Sequence, residues 1–153
     1  MKTMVHILVM TSVMIWAAPA RADEVPATGR VIELRGRAFV QQAHTTESLE
    51  RGEYLRPPYT IRTEPESAVH IRMPDGSLFQ IGSSARVTIN DYRAVEREPR
   101  TGSVKLVVGR IWVRLRSWFS ESSFEVETDD AVAGVRGTDF IVQFEQKQSS
   151  VLV

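Results

Sequence analysis

The sequence predicts an all-β fold built from many short strands. Apolar and polar residues alternate in short runs, which is the period expected of half-buried strands. Glycine, proline and aspartate separate these runs at the spacing of a sandwich, a barrel or a solenoid. No segment shows the periodicity of an amphipathic helix of ordinary length. We therefore expect short strands in a β-solenoid-like or sandwich arrangement.

Residues 1–22 have the features of a removable signal peptide. Lys2 supplies a positive charge, residues 4–18 form a mostly apolar run, and small residues follow up to Ala22. An uncut membrane anchor is the alternative, but a spanning helix needs roughly 20 predominantly apolar residues and this run is shorter. We expect cleavage after Ala22. The remaining domain, residues 23–153, is then periplasmic or secreted and has no stable membrane span.

The composition excludes several classes of function. The chain has no cysteine, which rules out thiolate catalysis, cysteine-ligated zinc and disulfide bonds. It carries 19 basic and 19 acidic residues, and removal of residues 1–22 takes away two basic ones, which leaves a net charge near −2. This balance gives no general attraction to nucleic acid or anionic lipid. We expect no nucleic-acid partner and no cofactor, so electrostatic recognition must come from a local patch.

In chain order, glycine and proline interrupt the first strands. Residues 31–40 alternate but are broken at Gly36, which predicts a bend or a bulge. Gly52 is expected in a turn. Pro57 and Pro58 then interrupt the hydrogen-bonded ladder before the next strand begins.

The clearest element is a β-hairpin over residues 69–81. Apolar residues alternate on both arms, so each arm has one apolar face. Pro74, Asp75 and Gly76 supply the turn: proline fixes φ, aspartate hydrogen-bonds to the nearby backbone, and glycine accepts a positive φ.

The second half of the chain contains a charged segment followed by further strands. Residues 93–102 are charged and predict an exposed loop. A strand at 104–108, a turn at Gly109 and a strand at 111–115 are expected next. Two more alternating strands are expected at residues 124–128 and 140–144.

The segment at residues 130–140 (DAVAGVRGTDF) resembles the signature of the FecR domain family. Three upstream segments occur in the order that this family uses: Ile61-Arg62-Thr63, Asp75-Gly76-Ser77 and Gly109-Arg110-Ile111. The resemblance extends from about Gly29 onward. The chain ends on the apolar residues 151–153, where the family pattern usually continues. We therefore expect a shortened domain whose last sheet exposes an unpaired edge.

The resemblance implies a function as well as a fold. Well-known members of the family relay a signal from an outer-membrane receptor to a cytoplasmic sigma factor. This chain looks more like the stand-alone exported members, because a cleaved signal peptide would sever a covalent link to the cytoplasm. We expect a protein-binding domain, not an enzyme, that acts as a signalling accessory or scaffold on an envelope protein. The alternative is an envelope glycan-binding or surface-structural module.

One candidate binding surface lies on the strand expected after Gly109. Arg110, Trp112, Arg114 and Arg116 occupy alternate positions and therefore share one face of that strand. An aromatic ring among guanidinium groups can stack on planar groups and attract anions, as an acidic protein surface or glycan requires. The alternative is a solvated face on which the arginine stems cover Trp112.

The family signature itself consists of Gly134, Val135, Arg136, Gly137 and Thr138. Arg136 can present a guanidinium fork to a carboxylate or a phosphate. It can also donate to backbone carbonyls of adjacent strands, with the glycines permitting close approach. We favour the structural role, because the segment leads directly into an alternating strand.

Catalytic and metal-binding constellations are weak. Ser77, His70 and Asp75 can be drawn as a triad, but they crowd one hairpin without an evident oxyanion site. The acidic residues 127–130 lack the spaced oxygen ligands of a calcium loop. We therefore expect no catalytic residue and no metal site.

Overall fold

The all-β prediction is confirmed by the computed structural model, which describes residues 28–93, 101–116, 123–135, 139–145 and 148–152. These ranges contain thirteen strands and no helix. In chain order the strands are β1 (Gly29–Arg35), β2 (Ala38–Gln42), β3 (Thr45–Ser48), β4 (Tyr54–Leu55), β5 (Tyr59–Thr63), β6 (Ala68–Arg72), β7 (Leu78–Ile81), β8 (Arg86–Arg93), β9 (Thr101–Arg114), β10 (Ser123–Glu127), β11 (Val132–Val135), β12 (Asp139–Glu145) and β13 (Gln148–Leu152).

Two sequence predictions fall wholly or partly outside these ranges. The expected signal peptide, residues 1–22, lies outside the described residues, as does most of the loop expected at 93–102. The loop prediction is wrong at both ends, because Arg93 belongs to β8 and pairs with Thr101, which already belongs to β9. Within the described ranges, no helix has the length and apolar character needed to cross a membrane.

The strands form two sheets that share β9. Sheet A has the order β4-β1-β6-β7-β9-β12-β13, and sheet B has the order β3-β2-β5-β8-β9-β10-β11. The second half of β9 pairs in sheet A and the first half pairs in sheet B. Among the described residues β9 and β10 form the parallel pair, and every other ladder is antiparallel. The result is a curled, largely antiparallel sheet that forms a half-barrel.

Three local sequence predictions agree with this architecture. Gly36, with φ of 72°, separates β1 from β2, and Gly52, with φ of 94°, lies in a turn. The predicted hairpin is β6 and β7, with Gly76 at φ of 87° in its turn. Asp75 Oδ1 accepts a hydrogen bond from the Ser77 backbone N–H at 3.0 Å, which is the backbone capping that its turn position predicts.

Four chain segments bend from one sheet into the other, and the bends lie side by side. The segments are β1–β2, β5–β6, β7–β8 and the single long strand β9. Each bend contains a residue with positive φ: Gly36 at 72°, Glu66 at 58°, Ser84 at 52° and Gly109 at 95°. We call this row of four residues the corner line. A positive φ lets each chain turn sharply while its strands stay paired on both sides.

Short polar side chains hold the corner line together. Ser67 Oγ accepts a hydrogen bond from the Arg37 backbone N–H at 2.9 Å. Thr63 Oγ1 donates to the Gly82 carbonyl at 2.6 Å and accepts from the Ala85 backbone N–H at 2.9 Å. Both hydroxyl-bearing residues are buried. They satisfy backbone groups that the interrupted ladders leave unpaired at the bend, where an unpaired buried group would be costly.

The prediction of a turn at Gly109 is wrong, because Gly109 lies inside the continuous strand β9. A β-bulge between Leu106 and Val108 precedes it. The side chains of β9 that point into the core are therefore at even-numbered positions in sheet B, such as Val104 and Leu106, and at odd-numbered positions in sheet A, such as Ile111. Because strand side chains alternate with a period of two, the extra residue keeps an apolar face on the core after the bend.

Aromatic rings from both sheets meet in the core. Phe79 of sheet A contacts Tyr92 and Phe124 of sheet B at centroid distances of 5.5 and 5.6 Å. Phe124 in turn contacts Phe140 of sheet A at 5.8 Å. These rings alternate between the sheets, so they join the two layers into one buried apolar cluster.

Replacement of Gly109 tests the corner line. A Cβ at Gly109 would lie 2.6 Å from the Ala85 Cβ and 2.7 Å from its Cα, and the positive φ is strained for any other L-residue. We expect Gly109→Ala to lower the free energy of unfolding by about 2–4 kcal/mol in urea titrations. Gly134→Ala is the matched control, because a Cβ there meets nothing within 4 Å. A loss below about 0.5 kcal/mol for Gly109→Ala would contradict the role of the corner.

Tyr59 is an unusual member of the core. Its side chain is 2 % exposed, and its hydroxyl has no hydrogen-bond partner among the described residues. Burial raises the pKa of this hydroxyl well above its usual value, because the phenolate would lose its hydration. The hydroxyl therefore stays protonated in the folded chain at pH values where an unfolded chain releases the proton.

The stability of the fold should therefore fall at alkaline pH. The unfolded tyrosine loses its proton near pH 10 while the folded one keeps it, so stability is intact below about pH 10 and declines above it by up to about 1.4 kcal/mol per pH unit. We expect Tyr59→Phe to remove this component of the decline. It should also keep or raise the stability at pH 7, because an unsatisfied hydroxyl is deleted. Chemical unfolding between pH 8 and 11 measures both effects.

Tyr54→Phe is the control for this measurement, since the Tyr54 side chain is 65 % exposed. It should leave the alkaline decline unchanged. If Tyr59→Phe declined as steeply as the unsubstituted chain, burial of the Tyr59 hydroxyl would not be the cause.

Candidate functional site

The outer face of sheet A carries a continuous cross-strand row of side chains. Each residue of this row pairs with the next one on the adjacent strand. The row runs through Glu33, His70, Gln80, Trp112, Ile141 and Leu152. It crosses six strands, from β1 to the edge strand β13. The apolar part of the row, which we call the outer stripe, consists of Trp112, Ile141 and Leu152.

Arginines flank this row on both sides. Arg30, Arg72 and Arg114 lie on one side, with Leu78 between Arg72 and Arg114 in the register. Arg35 and Arg110 lie on the other side. All five are exposed. Among the side chains that the structure describes on this face, Glu33 is the acidic one, and it contacts His70. Over these described side chains the outer face of sheet A is therefore basic, although the whole chain has no net charge.

The structure brings the predicted residues Arg110, Trp112 and Arg114 together on this face. They occupy alternate outward positions of β9, with Trp112 half-buried and both arginines exposed. Arg116 follows two residues after the end of the strand and lies against the hairpin turn at Gly76. Its backbone N–H donates to Ser77 Oγ at 3.0 Å. Arg116 therefore belongs to the rim of the surface and is not a member of the strand.

Trp112 interacts closely with Arg114. The guanidinium carbon of Arg114 lies 4.7 Å from the centre of the Trp112 ring system, within the range of a cation–π contact. This is the arrangement in which an arginine covers part of the tryptophan. One side of the ring is thus occupied within the protein.

A groove of about 700 Å³ lies beside Trp112, next to the corner line. Its lining includes Arg110 and Trp112 but does not include Arg114. The sequence did not assign the other lining residues to a binding surface, and Arg35, His70, Gln80 and Ser83 are among them. The hairpin register places His70 opposite Gln80, and this pair was therefore accessible from the hairpin sequence. Arg35 and Ser83 reach the groove through long-range pairing, for which the sequence carries no local signal.

The structure does not form the catalytic triad of Ser77, His70 and Asp75 that was considered from the sequence. Ser77 Oγ lies 2.7 Å from Asp75 Oδ2, and the Ser77 side chain is buried. Tyr92 donates its hydroxyl proton to the same carboxylate oxygen at 2.9 Å. His70 Nδ1 lies 3.0 Å from Glu33 Oε2. Ser77 and Asp75 thus hold the hairpin turn, while His70 faces the groove with a different partner.

The acidic segment after β10 makes local contacts. Lys105 Nζ lies 3.6 Å from Glu127 Oε1 and 3.6 Å from Asp129 Oδ1. Thr128 Oγ1 donates to Asp130 Oδ1 at 2.8 Å. Within the described part of the chain, no group of three or more histidine, aspartate or glutamate side chains is arranged to hold a metal ion.

The family signature is described only in part. Gly134 and Val135 belong to β11, where they pair with Glu125 and Phe124 of β10. A Cβ on Gly134 would meet no atom within 4 Å, so close approach does not require glycine at this position. Arg136, Gly137 and Thr138 lie outside the described residues. The structural role expected for Arg136 stays a prediction.

Two of the edge strands are protected against pairing. Within the described residues, β4 and β13 form the edges of sheet A, and β3 and β11 form those of sheet B. Every residue of β3 is polar and exposed. β4 has two residues, and the guanidinium of Arg30 lies 5.4 Å from the ring centre of Tyr54. Short length, polarity and a covering side chain are the usual protection of an edge.

The other two edges carry exposed apolar side chains. Val151 and Leu152 of β13 are 41 % and 70 % exposed, and Val132 of β11 is 67 % exposed. β13 contains no charged residue. Val151 pairs with the buried Val142, and Leu152 pairs with Ile141 on the outer stripe. The edge at β13 therefore exposes apolar surface on both faces of sheet A.

Comparisons with known proteins identify the family of this chain. A family model described as "FecR protein" matches residues 59–153, which is more than half of the chain. The match begins at β5, so the segment from Gly29 to the end of β4, which the sequence resemblance included, lies outside it. The comparisons with curated proteins and with solved structures found no match. On the strength of the family match, the chain belongs to the FecR family.

Proposed function

We propose that this FecR-family domain works in the cell envelope by binding another protein, as a signalling accessory or a scaffold. Binding takes place by strand addition at β13, with further contacts from the surface of Arg110, Trp112, Arg114 and Arg116. The observation that carries the proposal is the strand β13, which among the described residues pairs with β12 alone and exposes apolar side chains on both faces of sheet A. In this proposal the domain has no catalytic role.

Strand addition suits this edge for a physical reason. An edge strand presents unpaired N–H and C=O groups that a further strand can satisfy, while its side chains provide specificity. On the inner face, Val151 is left partly exposed beside the buried Val142. A partner strand with an apolar side chain at the matching position would extend the core over Val151. Burial of this kind contributes about 25 cal/mol per Å² of apolar surface.

The outer stripe gives the partner a second contact. Leu152, Ile141 and Trp112 are consecutive in the register, so the stripe leads from the edge toward the middle of sheet A. Arg110 and Arg114 stand on either side of Trp112. A partner whose added strand is followed by an acidic segment therefore fits the surface, because the carboxylates meet exposed guanidinium groups.

Residues 1–22 support the location. The charge of Lys2, the apolar run at 4–18 and the small residues up to Ala22 favour export and cleavage. Export makes the domain periplasmic or secreted, where its partners are envelope proteins.

Substitutions at β13 test the proposal. We expect Leu152→Lys combined with Val151→Lys to lower capture of the partner by about tenfold or more when the tagged protein is crosslinked in cells and the captured proteins are identified. The reason is that two lysines add charge to the edge and prevent close pairing with another strand. Because both side chains are exposed, urea unfolding of the purified chain should change little.

Thr46→Lys is the matched control, since it places a lysine on the polar edge strand β3. It should leave the capture unchanged. A defined partner that is still captured at full yield by the β13 variant would contradict strand addition. Trp112→Ala should reduce capture by less than about threefold if the edge provides most of the affinity.

A further inference from the structure

The groove beside the corner line shares Arg110, Trp112 and Ile141 with the surface proposed for partner binding, and strand addition at β13 does not use the rest of its lining. It lies on the outer face of sheet A, extends as far as Ile141 of β12, the strand next to β13, and has a volume of about 700 Å³. Its lining joins residues of β1, β6, β7, β9 and β12 with the bends between β5 and β6 and between β7 and β8. A volume of this size accommodates a small ligand or one to two sugar rings.

Two guanidinium groups give the groove its charge. Arg35 and Arg110 both line it, and neither has an ion pair or a side-chain hydrogen bond among the described residues. Glu66 is the acidic residue in the lining, and its side chain is exposed. The two arginines outnumber this carboxylate. A guanidinium presents paired donors that match a carboxylate, and the groove therefore favours an anionic ligand.

Trp112 supplies a flat apolar surface. Arg114 stacks on the ring but does not line the groove, whereas Arg110, two residues earlier on the same face of β9, does. Trp112 therefore contributes to the groove in a region that Arg114 does not line. An aromatic face of this kind stacks against the apolar C–H face of a sugar ring.

Neutral polar groups complete the lining. Gln80 offers an amide, Ser83 offers a hydroxyl, and His70 offers an imidazole beside its contact with Glu33. Amide, hydroxyl and imidazole groups both donate and accept hydrogen bonds, as the hydroxyl groups of a saccharide require. A simple anion would need none of them.

The position of the groove disfavours a peptide. Its floor is formed by β6, β7 and β9, whose backbone groups are already paired with one another in the ladders of sheet A. A peptide backbone lying on this floor finds no free N–H or C=O groups for strand-like pairing. A saccharide needs only the side-chain groups that the floor presents.

We propose that this groove binds an acidic saccharide, with one sugar ring on Trp112 and its carboxylate between Arg35 and Arg110. Main-chain pairing at β13 does not use this site, so occupation of the groove does not depend on strand addition. The saccharide and the acidic segment of a partner share Arg110 and Trp112, and they therefore compete for these two side chains.

Isothermal titration calorimetry of the purified chain tests the proposal with matched probes. The acidic probes are tetragalacturonic acid and a tetrasaccharide of alternating N-acetylglucosamine and N-acetylmuramic acid. Their neutral counterparts are the methyl ester of tetragalacturonic acid and tetra-N-acetylchitotetraose. We expect at least one acidic probe to bind at least about ten times more tightly than its neutral counterpart, because the neutral probe cannot form charge-assisted hydrogen bonds with the arginines. Binding of neither acidic probe overturns the proposal.

Variants assign the site to the groove. Arg110→Ala and Arg35→Ala should each lower the affinity for the acidic probe by about tenfold and leave the weak binding of its neutral counterpart unchanged. Arg86→Ala, which removes an exposed arginine from the outer face of sheet B, should have no effect. Trp112→Ala should lower the affinity for the acidic and the neutral probe by the same factor. Urea unfolding of this variant that matches the unsubstituted chain shows that the fold is kept. Equal weakening by Arg86→Ala would contradict the assignment.

A tetraglutamate peptide separates saccharide recognition from simple attraction between charges. We expect this peptide to bind at least about tenfold more weakly than the preferred acidic saccharide. The saccharide assignment would be overturned if the peptide bound as tightly as the saccharide and Arg110→Ala weakened the binding of both by the same factor. These titrations contain no partner protein, so their failure leaves strand addition at β13 untouched, and the failure of strand addition leaves the titrations unaffected.

Discussion

The row of four bends at Gly36, Glu66, Ser84 and Gly109 determines how the rest of the chain is arranged. Each bend has a positive φ and passes a chain segment from one sheet to the other. Because all four segments bend at the same place, the strands stay paired on both sides of the corner. The two sheets then face each other across one core, in which aromatic rings of both meet. Non-glycine residues at two bends tolerate this strain because the surrounding hydrogen bonds hold them.

The corner also sets out the surfaces that are available for binding. It pairs the central strands of sheet A fully, so that their outer face presents only side chains, and it displaces the unpaired edges to the ends of the sheets. Side-chain recognition is therefore possible in the middle of sheet A, beside Trp112, and backbone recognition is possible at β13. The two modes rest on different chemistry, since one uses guanidinium and aromatic groups and the other uses N–H and C=O groups.

Local sequence patterns predicted the parts of the fold that depend on local chemistry. The break at Gly36, the turn at Gly52 and the hairpin around Gly76 follow from residue type, and the alternation of β9 placed Arg110 and Trp112 on one face. The pattern failed at Gly109, where a glycine with positive φ forms a bend inside a continuous strand and not a turn, because only the neighbouring strands decide between the two. The hydroxyls of Thr63 and Ser67 at the corner, and Arg35 in the groove, depend on the long-range register and leave no local signal.

Native-state hydrogen exchange tests most directly whether the corner makes the two sheets one cooperative unit. The amides of β7 in sheet A and β8 in sheet B lie on either side of the bend at Ser84. The account predicts that the most protected amides of both strands exchange through the same global opening, with equal free energies and equal dependence on denaturant. It also predicts that β13 exchanges through a smaller opening. Different global free energies for β7 and β8 would show that the sheets unfold separately, which would contradict the account.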